Sequence, residues 1–105
     1  MLLATIDRIP GKEITEVLGL VQGSTIRARH LGRDLMAGLR NVVGGEIKDY
    51  TQMLSEAREL ALQRMVKEAE RLGADAVVGV RLATAQTMAG AAEVLAYGTA
   101  VRLSS

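Results

Sequence analysis

The longest patterned stretch runs from Asp49 to Leu72, where apolar residues recur at intervals of three and four. On a helical wheel these positions spread over about two-thirds of the circumference, whereas a helix covering one small core needs a stripe only a little over about 100° wide. We therefore predict a long helix that buries a second flank. Its apolar positions are Tyr50, Met53, Leu54, Ala57, Leu60, Ala61, Leu62, Met65, Val66, Ala69 and Leu72.

Both ends of this helix carry typical signals. Asp49, with Gln52 three residues later, matches the pattern of a capping box. Gly73 suits the left-handed position that closes many helices. The pattern therefore predicts the bounds of the helix as well as its existence.

Two charges, Arg58 and Glu68, fall inside the apolar arc, where an unpaired charge would be costly. We expect such a charge either to reach solvent or to form an ion pair, for example Glu68 with Arg64, which precedes it by four residues. For Arg58 the alternatives are a side chain that reaches out to solvent, an anion-binding role, and a contact with a neighbouring subunit. We favour the contact with a subunit.

Alternating and apolar runs predict five strands. In the second, Leu18 and Leu20 are expected on one side, and in the third Ile26 and Ala28 are expected to point inward. Residues 22–24 read as a turn that joins these two strands into a hairpin. The predicted strands are Leu2 to Ile6, Ile14 to Val21, Thr25 to His30, Ala76 to Ala83 and Glu93 to Leu103.

The last two predicted strands each have a face of small residues, including Gly79 in one and Gly98 in the other. Such faces allow another backbone to approach closely. Residues 85–92, AQTMAGAA, are predicted to form the connecting loop. Together with the wide apolar arc of the helix, the small faces favour close packing between subunits.

A second, shorter helix is predicted over residues 31–43. Leu31, Leu35, Leu39 and Val42 share one of its faces, and Gly44-Gly45 ends it. The paired glycines follow a helix and lack the GK[ST] ending, so they are not a phosphate-binding loop. The fold class predicted from these elements is α+β.

Composition narrows the architecture. A chain of 105 residues is expected to form one domain, residues 1–105. Nearly half of it is apolar, 49%, with two tyrosines and no Phe or Trp, so its core must consist of aliphatic residues and methionine. The formal charge of +1 gives no general attraction to nucleic acid or anionic membrane. The absence of cysteine excludes disulfides and thiolate metal sites.

Targeting signals are not evident. The start, MLLATIDRIPGK, has no basic leader followed by an apolar run, and no stretch approaches the 18 or so apolar residues that span a bilayer. We therefore expect a cytoplasmic protein without a membrane partner.

Six spaced features of the sequence form a recognisable series: VLGLVQG (17–23), RDLMAGLRNVVGG (33–45), the following Tyr50, EARELAL (56–62), LGADAVVGVRL (72–82) and YGTAVRL (97–103). This series resembles the YbjQ-like family of small bacterial proteins. The resemblance implies a two-layer, dodecin-like subunit, in which an antiparallel sheet packs on one long and one shorter helix. It further implies a ring-forming homo-oligomer, a pentamer.

The family carries the label "putative heavy-metal-binding". Its members tend to have an acidic and aromatic stretch after the strand that ends at Leu82, where this chain has Ala83-Thr84-Ala85. The metal candidates that remain are His30, the only histidine, and Asp34, four residues later. One imidazole per subunit is a poor site for a soft metal, although a ring could collect several copies.

Catalysis is not expected. The serines have no recognisable base and orienting acid, and the carboxylate pairs are ordinary helix-surface residues. We predict a binding or assembly module for a small ligand, with a metal site assembled between subunits as the alternative. The ligand or anion candidates are Arg33, Arg40 and Arg58.

Positive charge is concentrated in Arg27, Arg29, Arg33 and Arg40. Multiplied round a ring, this cluster could bind an anion, a nucleotide or single-stranded RNA, but the aromatic platforms for stacking bases are missing. A solvated face or a set of intersubunit ion pairs is the favoured interpretation, and a nucleic-acid partner is disfavoured.

Overall fold

The computed structural model describes residues 1–28, 48–88 and 91–104, with the side chains of residues 27, 28, 48–50, 87 and 88 left out of account. The described part is an α+β unit in which one helix packs on a four-stranded sheet. In chain order the elements are β1 (Leu2–Leu3), β2 (Ile14–Ala28), α1 (Lys48–Arg71), β3 (Ala76–Met88) and β4 (Ala91–Leu103).

The sheet is mixed, with strand order β1-β3-β4-β2. β4 pairs antiparallel with both β2 and β3; the sequence predicts its adjacency to β3 but not its pairing with β2. β1 is parallel to β3, with Leu2 opposite Ala76 and Leu3 opposite Val77. The prediction of a wholly antiparallel sheet is therefore wrong at this edge, because β1 and β3 are joined through β2 and α1 and not by a hairpin.

Helix α1 ends as predicted. Gly73 has a φ of 80°, in the left-handed region. Its N–H donates to the carbonyl of Glu70 over 3.0 Å, and the N–H of Ala74 donates to the carbonyl of Ala69 over 3.1 Å. These two bonds are the pair that defines a Schellman motif. At the other end the helix already includes Lys48, so Asp49 lies inside the first turn and is not the cap residue.

β2 runs without interruption through the predicted turn at residues 22–24. Gln22 pairs with Tyr97, Gly23 with Ala96, and Ser24 with Leu95. The predicted hairpin is therefore wrong. The polar and small residues that suggested a turn instead continue a ladder along β4.

Two bulges reverse the predicted faces. In β2 an extra residue lies between Val17 and Gly19, whose φ is 125°, so Leu18 packs toward the helix while Leu20 points away from it. In β3 the register shifts between Val78 and Arg81. Simple alternation therefore fails in both strands, because each bulge adds one residue to one side of the ladder.

The core lies between α1 and the β2–β4 part of the sheet. Four helix residues at a spacing of four are fully buried: Ala57, Ala61, Met65 and Ala69. Three alanines in this stripe let the helix approach the strands closely, and Met65 fills the remaining space. Thr25 is buried beneath the helix and Ile26 is exposed, so the predicted inward orientation of Ile26 is wrong.

The small face of β4 packs against this core: Val94, Ala96 and Ala100 are buried there. A Cβ on Gly98 would stand 2.7 Å from Cγ1 of Val77 and 3.0 Å from the carbonyl oxygen of Val78. The close approach expected at Gly98 is therefore confirmed, within the chain's own sheet. At Gly79 a Cβ would meet nothing within 4 Å, so the close approach is not found within the described chain, and an approach between subunits stays a prediction.

The predicted loop at residues 85–92 is mostly strand, since β3 continues to Met88 and β4 begins at Ala91. The helix predicted over residues 31–43 and the glycines at 44–45 lie outside the described residues. On the sheet face opposite α1, Ile9 packs over a small cluster of Ala76, Val78 and Val101.

The molecule is elongated. Its extents are 55 × 24 × 16 Å and its radius of gyration is 17.4 Å, against about 13 Å for a compact chain of 100 residues. Its accessible surface is 6976 Å², whereas a compact monomer of this mass would expose about 5,700 Å². The single chain therefore exposes more surface than a compact monomer of its mass.

Candidate functional site

Among the described residues, the most exposed large apolar side chains lie on the outer face of β2, which we define as Val17, Leu20 and Ile26. These side chains are 65%, 69% and 65% exposed. They share the sheet face opposite α1 because the bulge before Gly19 brings Val17 and Leu20 to the same side. A run of large aliphatic side chains with this exposure is typical of an interaction surface.

The outer face of β2 continues onto β4. Leu95 and Tyr97, which are half-buried, lie opposite Ser24 and Gln22 on the same side of the sheet. Sequence alternation missed this surface because it assigned Leu20 to the side of Leu18. Gly19 within an apolar strand is the signal that could have indicated the bulge.

A second surface is the helix–β1 groove, on the side of the sheet that carries α1. Leu3, Leu62 and Val66 form its apolar part, and Glu59, Lys67 and Glu70 are at its rim. Its volume is about 430 Å³. The groove exists because α1 lies mainly over β2 and β4 and leaves β1 uncovered. The flank of α1 with Leu62 and Val66 belongs to the wide apolar arc seen in the sequence.

A third, polar cavity of about 320 Å³ lies between the two chain ends, lined by Leu2, Lys12, Asp75, Leu103 and Ser104. Its polar groups hold backbone. Oδ2 of Asp75 accepts the N–H of Leu103 over 2.8 Å, and Oγ of Ser104 accepts the N–H of Glu13 over 2.9 Å. These contacts join the last strand to neighbouring segments.

Of the candidate ligand residues, only Arg58 lies in the described part of the chain. It is exposed on α1, and its Nη2 donates to Oγ of Ser55 over 3.0 Å. It lines neither the groove nor the polar cavity. Arg33, Arg40, His30 and Asp34 lie outside the described residues.

The predicted ion pair between Arg64 and Glu68 is wrong. Glu68 instead pairs with Arg71 over 2.5 Å, one turn further along the helix. Arg64 reaches the sheet. Its Nη1 donates to the carbonyl oxygen of Ser24 over 2.6 Å, because the guanidinium lies beside β2 where α1 crosses it.

Two other arginines also donate hydrogen bonds to backbone carbonyl oxygens. Arg81 donates to Thr5 over 2.7 Å, and Arg102 donates to Gly73 over 3.2 Å. A guanidinium that donates to a buried or bent backbone segment stabilises the fold. These side chains therefore have structural partners.

The donor set of the described residues does not fit a heavy metal. Across residues 1–28, 48–88 and 91–104 no three residues of the types His, Cys, Asp or Glu come together in a way that could hold a metal ion. The whole chain has no cysteine and one histidine, whereas soft metals prefer thiolate and imidazole. The thioether of Met65 is buried in the core, where it packs and does not coordinate.

Within the same described residues, no helix combines the length and the apolar character that a bilayer crossing requires.

Comparison with known proteins identifies the family. A family model named YbjQ_1, described as "Putative heavy-metal-binding", matches residues 1–104. A UPF0145 protein of Methanosarcina acetivorans is 63% identical over 103 residues, covering 98% of this chain and 97% of that protein. A UPF0145 protein of Thermus thermophilus is 61% identical, covering 98% and 90%.

A solved structure has the same fold. It is a protein of unknown function from Pediococcus pentosaceus, assigned to the DUF74 family, with a TM-score of 0.64 and 18% identity. The match covers 99% of this chain and 98% of that one. At this identity the likeness concerns the fold alone. The matches over the full length in sequence, with the fold in agreement, show that the chain belongs to the YbjQ/UPF0145 family.

Proposed function

We propose that this protein is a non-enzymatic assembly module. It forms a homo-oligomer, a pentameric ring, that holds a small ligand between its subunits. The observation that carries the proposal is the outer face of β2, where Val17, Leu20 and Ile26 are each about two-thirds exposed in the single chain. Water contact at three large aliphatic side chains on one strand is unfavourable, and a partner surface removes it.

The magnitudes support assembly. Fully burying one such side chain contributes about 1.5–3 kcal/mol. The surface in excess of a compact monomer is about 1,300 Å², compared with about 800 Å² that each partner buries in a standard interface. Each subunit of a ring takes part in two contacts, which together bury about 1,600 Å² of its surface at the standard size. This area is comparable with the excess.

The ligand proposal is supported by cavity size. Sites for small molecules usually have volumes of about 300–1,000 Å³, and the polar cavity at the chain ends holds about 320 Å³. Lys12 and Asp75 give it one cationic and one anionic group. In a ring a neighbouring subunit would complete the wall that a single chain leaves open.

The absence of enzyme activity is part of the same proposal. Two described serines have their hydroxyls engaged structurally: Ser55 accepts from Arg58, and Ser104 accepts from the backbone of Glu13. Neither contacts a base that could activate it.

The second candidate function, a heavy-metal site between subunits, is favoured by the description of the family model. Its ligands would include His30 and Asp34.

Light scattering coupled to gel filtration tests the assembly. We expect a single species with five times the subunit mass of 11.2 kDa. Leu20→Glu and Ile26→Glu should shift the mass toward the monomer, because each introduces a charge into the proposed contact. Glu56→Lys, on the outward face of α1, is the matched control and should leave the mass unchanged. A folded monomer of the natural sequence at micromolar concentration would refute the proposal.

Native mass spectrometry tests the ligand. The proposal predicts that the purified ring retains a small molecule in a fixed ratio to subunits. Lys12→Ala and Asp75→Asn should reduce that retention if the polar cavity is the site. A ring whose mass equals that of its polypeptides alone would leave assembly as the function and remove ligand binding from it.

A further inference from the structure

The helix–β1 groove and the outer face of β2 lie at opposite ends of the sheet and on opposite sides of it. β1 is one edge strand and β2 is the other. The groove is on the side covered by α1, whereas Leu20 and Ile26 point to the other side. Within one chain these two apolar surfaces therefore cannot meet.

We propose that the outer face of β2 of one copy of this chain docks into the helix–β1 groove of the next copy. This inference rests on the proposed function, since it names the surfaces that join the subunits. The contact is head-to-tail, because two different surfaces meet. A head-to-tail contact produces a closed ring when the rotation between copies closes, and a filament when it does not.

The two surfaces agree in size. The rim of the groove runs along α1 from Glu59 to Glu70, a helical distance of about 17 Å at about 1.5 Å per residue. Leu20 and Ile26 are six strand residues apart, or about 20 Å at about 3.3 Å per residue. A volume of about 430 Å³ is enough for several side chains, so the groove can accept an apolar strand face.

The surfaces also agree in chemistry. The groove is apolar at Leu3, Leu62 and Val66 and charged at its rim. Between Leu20 and Ile26 the exposed side of β2 carries Gln22 and Ser24, which can donate and accept hydrogen bonds at that rim. Glu93 of β4, the cross-strand partner of Ile26, adds one carboxylate beside the outer face of β2, and Lys67 is the cation at the rim of the groove.

A second copy fits better than a foreign partner, because each chain supplies both surfaces in equal number. A two-fold contact of two β2 outer faces would bury Leu20 and Ile26 but would leave the groove of both copies open. A head-to-tail contact covers both surfaces on every copy. It therefore buries accessible surface that the elongated chain has in excess of a compact monomer.

Cysteine crosslinking tests the contact cleanly, because the chain has no cysteine of its own. The experiment uses the assembled full chain, a short bismaleimide, and the variants Leu20→Cys, Val66→Cys and Leu20→Cys/Val66→Cys. We expect the double variant to give a ladder of covalent multimers on a denaturing gel. Each single variant should remain at the mass of one chain, since its thiols would not face each other.

Glu56→Cys/Val66→Cys is the matched control, with one thiol on the outward face of α1, and it should give no ladder. Dimers from Leu20→Cys alone would overturn the proposal in favour of a two-fold contact between β2 faces. Absence of a ladder from an assembled double variant would overturn it as well. If Leu20→Cys lowers the native mass, the double variant Ile26→Cys/Leu62→Cys replaces Leu20→Cys/Val66→Cys. The same crosslinking results are then expected, and the same results would overturn the proposal.

The native mass of the unmodified protein separates this inference from the proposed function. A monomer contradicts both. An oligomer whose double variants fail to crosslink contradicts only the choice of surfaces, and the ring would then be joined elsewhere.

Discussion

Gly23 of β2 lies directly against the backbone of Ala61 in α1. A Cβ at Gly23 would collide with the carbonyl oxygen of Ala61 and the amide nitrogen of Met65. The helix therefore rests on the strand at a point where only glycine fits, and Thr25 fastens the same crossing by donating its hydroxyl to the carbonyl of Ala57 over 3.0 Å.

Gly23→Ala should destabilise the protein by about 1–3 kcal/mol or more, because the methyl group must displace helix backbone and not a flexible side chain. Urea unfolding followed by circular dichroism measures the change. Glu56→Ala, on the exposed outward face of α1, is the control and should stay within about 0.5 kcal/mol. Equal midpoints for Gly23→Ala and the unmodified protein would show that α1 does not contact β2 at this point.

Alanine and asparagine substitutions should rank in opposite orders of stability at Gly79 and at Gly98. Gly79 has a φ of 63° and open space around it, so alanine there should cost about 1–2 kcal/mol in backbone strain. Asparagine, which tolerates the left-handed region, should cost less. Gly98 is limited by Val77 and Val78, so asparagine should cost more than alanine there. Denaturation of the four variants measures the ranking of alanine and asparagine at each glycine. The same ranking at both positions would contradict the bulge at Gly79 in β3.

Thr25→Val tests the buried hydroxyl at the helix crossing. The substitution keeps the shape and removes a donor, so we expect a loss of about 0.5–1.5 kcal/mol. Thr15→Val is the matched control, since Thr15 makes a similar bond to the carbonyl of Arg102 over 3.3 Å in an exposed position. Thermal unfolding of both variants should separate them, and an equal shift in midpoint would rule out a special role for Thr25.

Soft metals should bind weakly. Calorimetric titration with zinc, copper and cadmium is expected to give weak or undetectable heats, because the described residues contain no ligand cluster and the chain has a single imidazole. His30→Ala should leave this result unchanged. Submicromolar affinity with a defined stoichiometry per ring, lost in His30→Ala, would make the metal site between subunits the leading function.

The local sequence pattern was sufficient to predict the C-terminal end of α1 and the alternation of β4. The C-terminal end of the helix was predictable because a glycine in the left-handed conformation lets nearby N–H groups donate to the last carbonyls. These hydrogen bonds join residues no more than five positions apart. The alternation of β4 was also predictable, since Leu95 to Leu103 contains no bulge and its small face matches the helix stripe.

The same rules failed at β2 and β3. Gly19 and Gly79 each introduce a bulge, and after a bulge every following side chain changes face. Gln22, Gly23 and Ser24 are common turn residues, yet they form strand because β4 supplies thirteen residues of ladder and α1 requires a glycine beneath it. These requirements come from residues 38 or more positions away in the chain.

The sequence by itself determined the class of the fold, the long helix with its left-handed end, and a surplus of apolar positions that one small core cannot cover. These follow from periodicity and composition, which are local quantities. Only the tertiary structure decided which apolar positions remain outside. Leu20 and Ile26 are exposed, and Leu62 and Val66 line an open groove, because a bulge sets the face of each strand residue and the crossing at Gly23 sets where the helix lies.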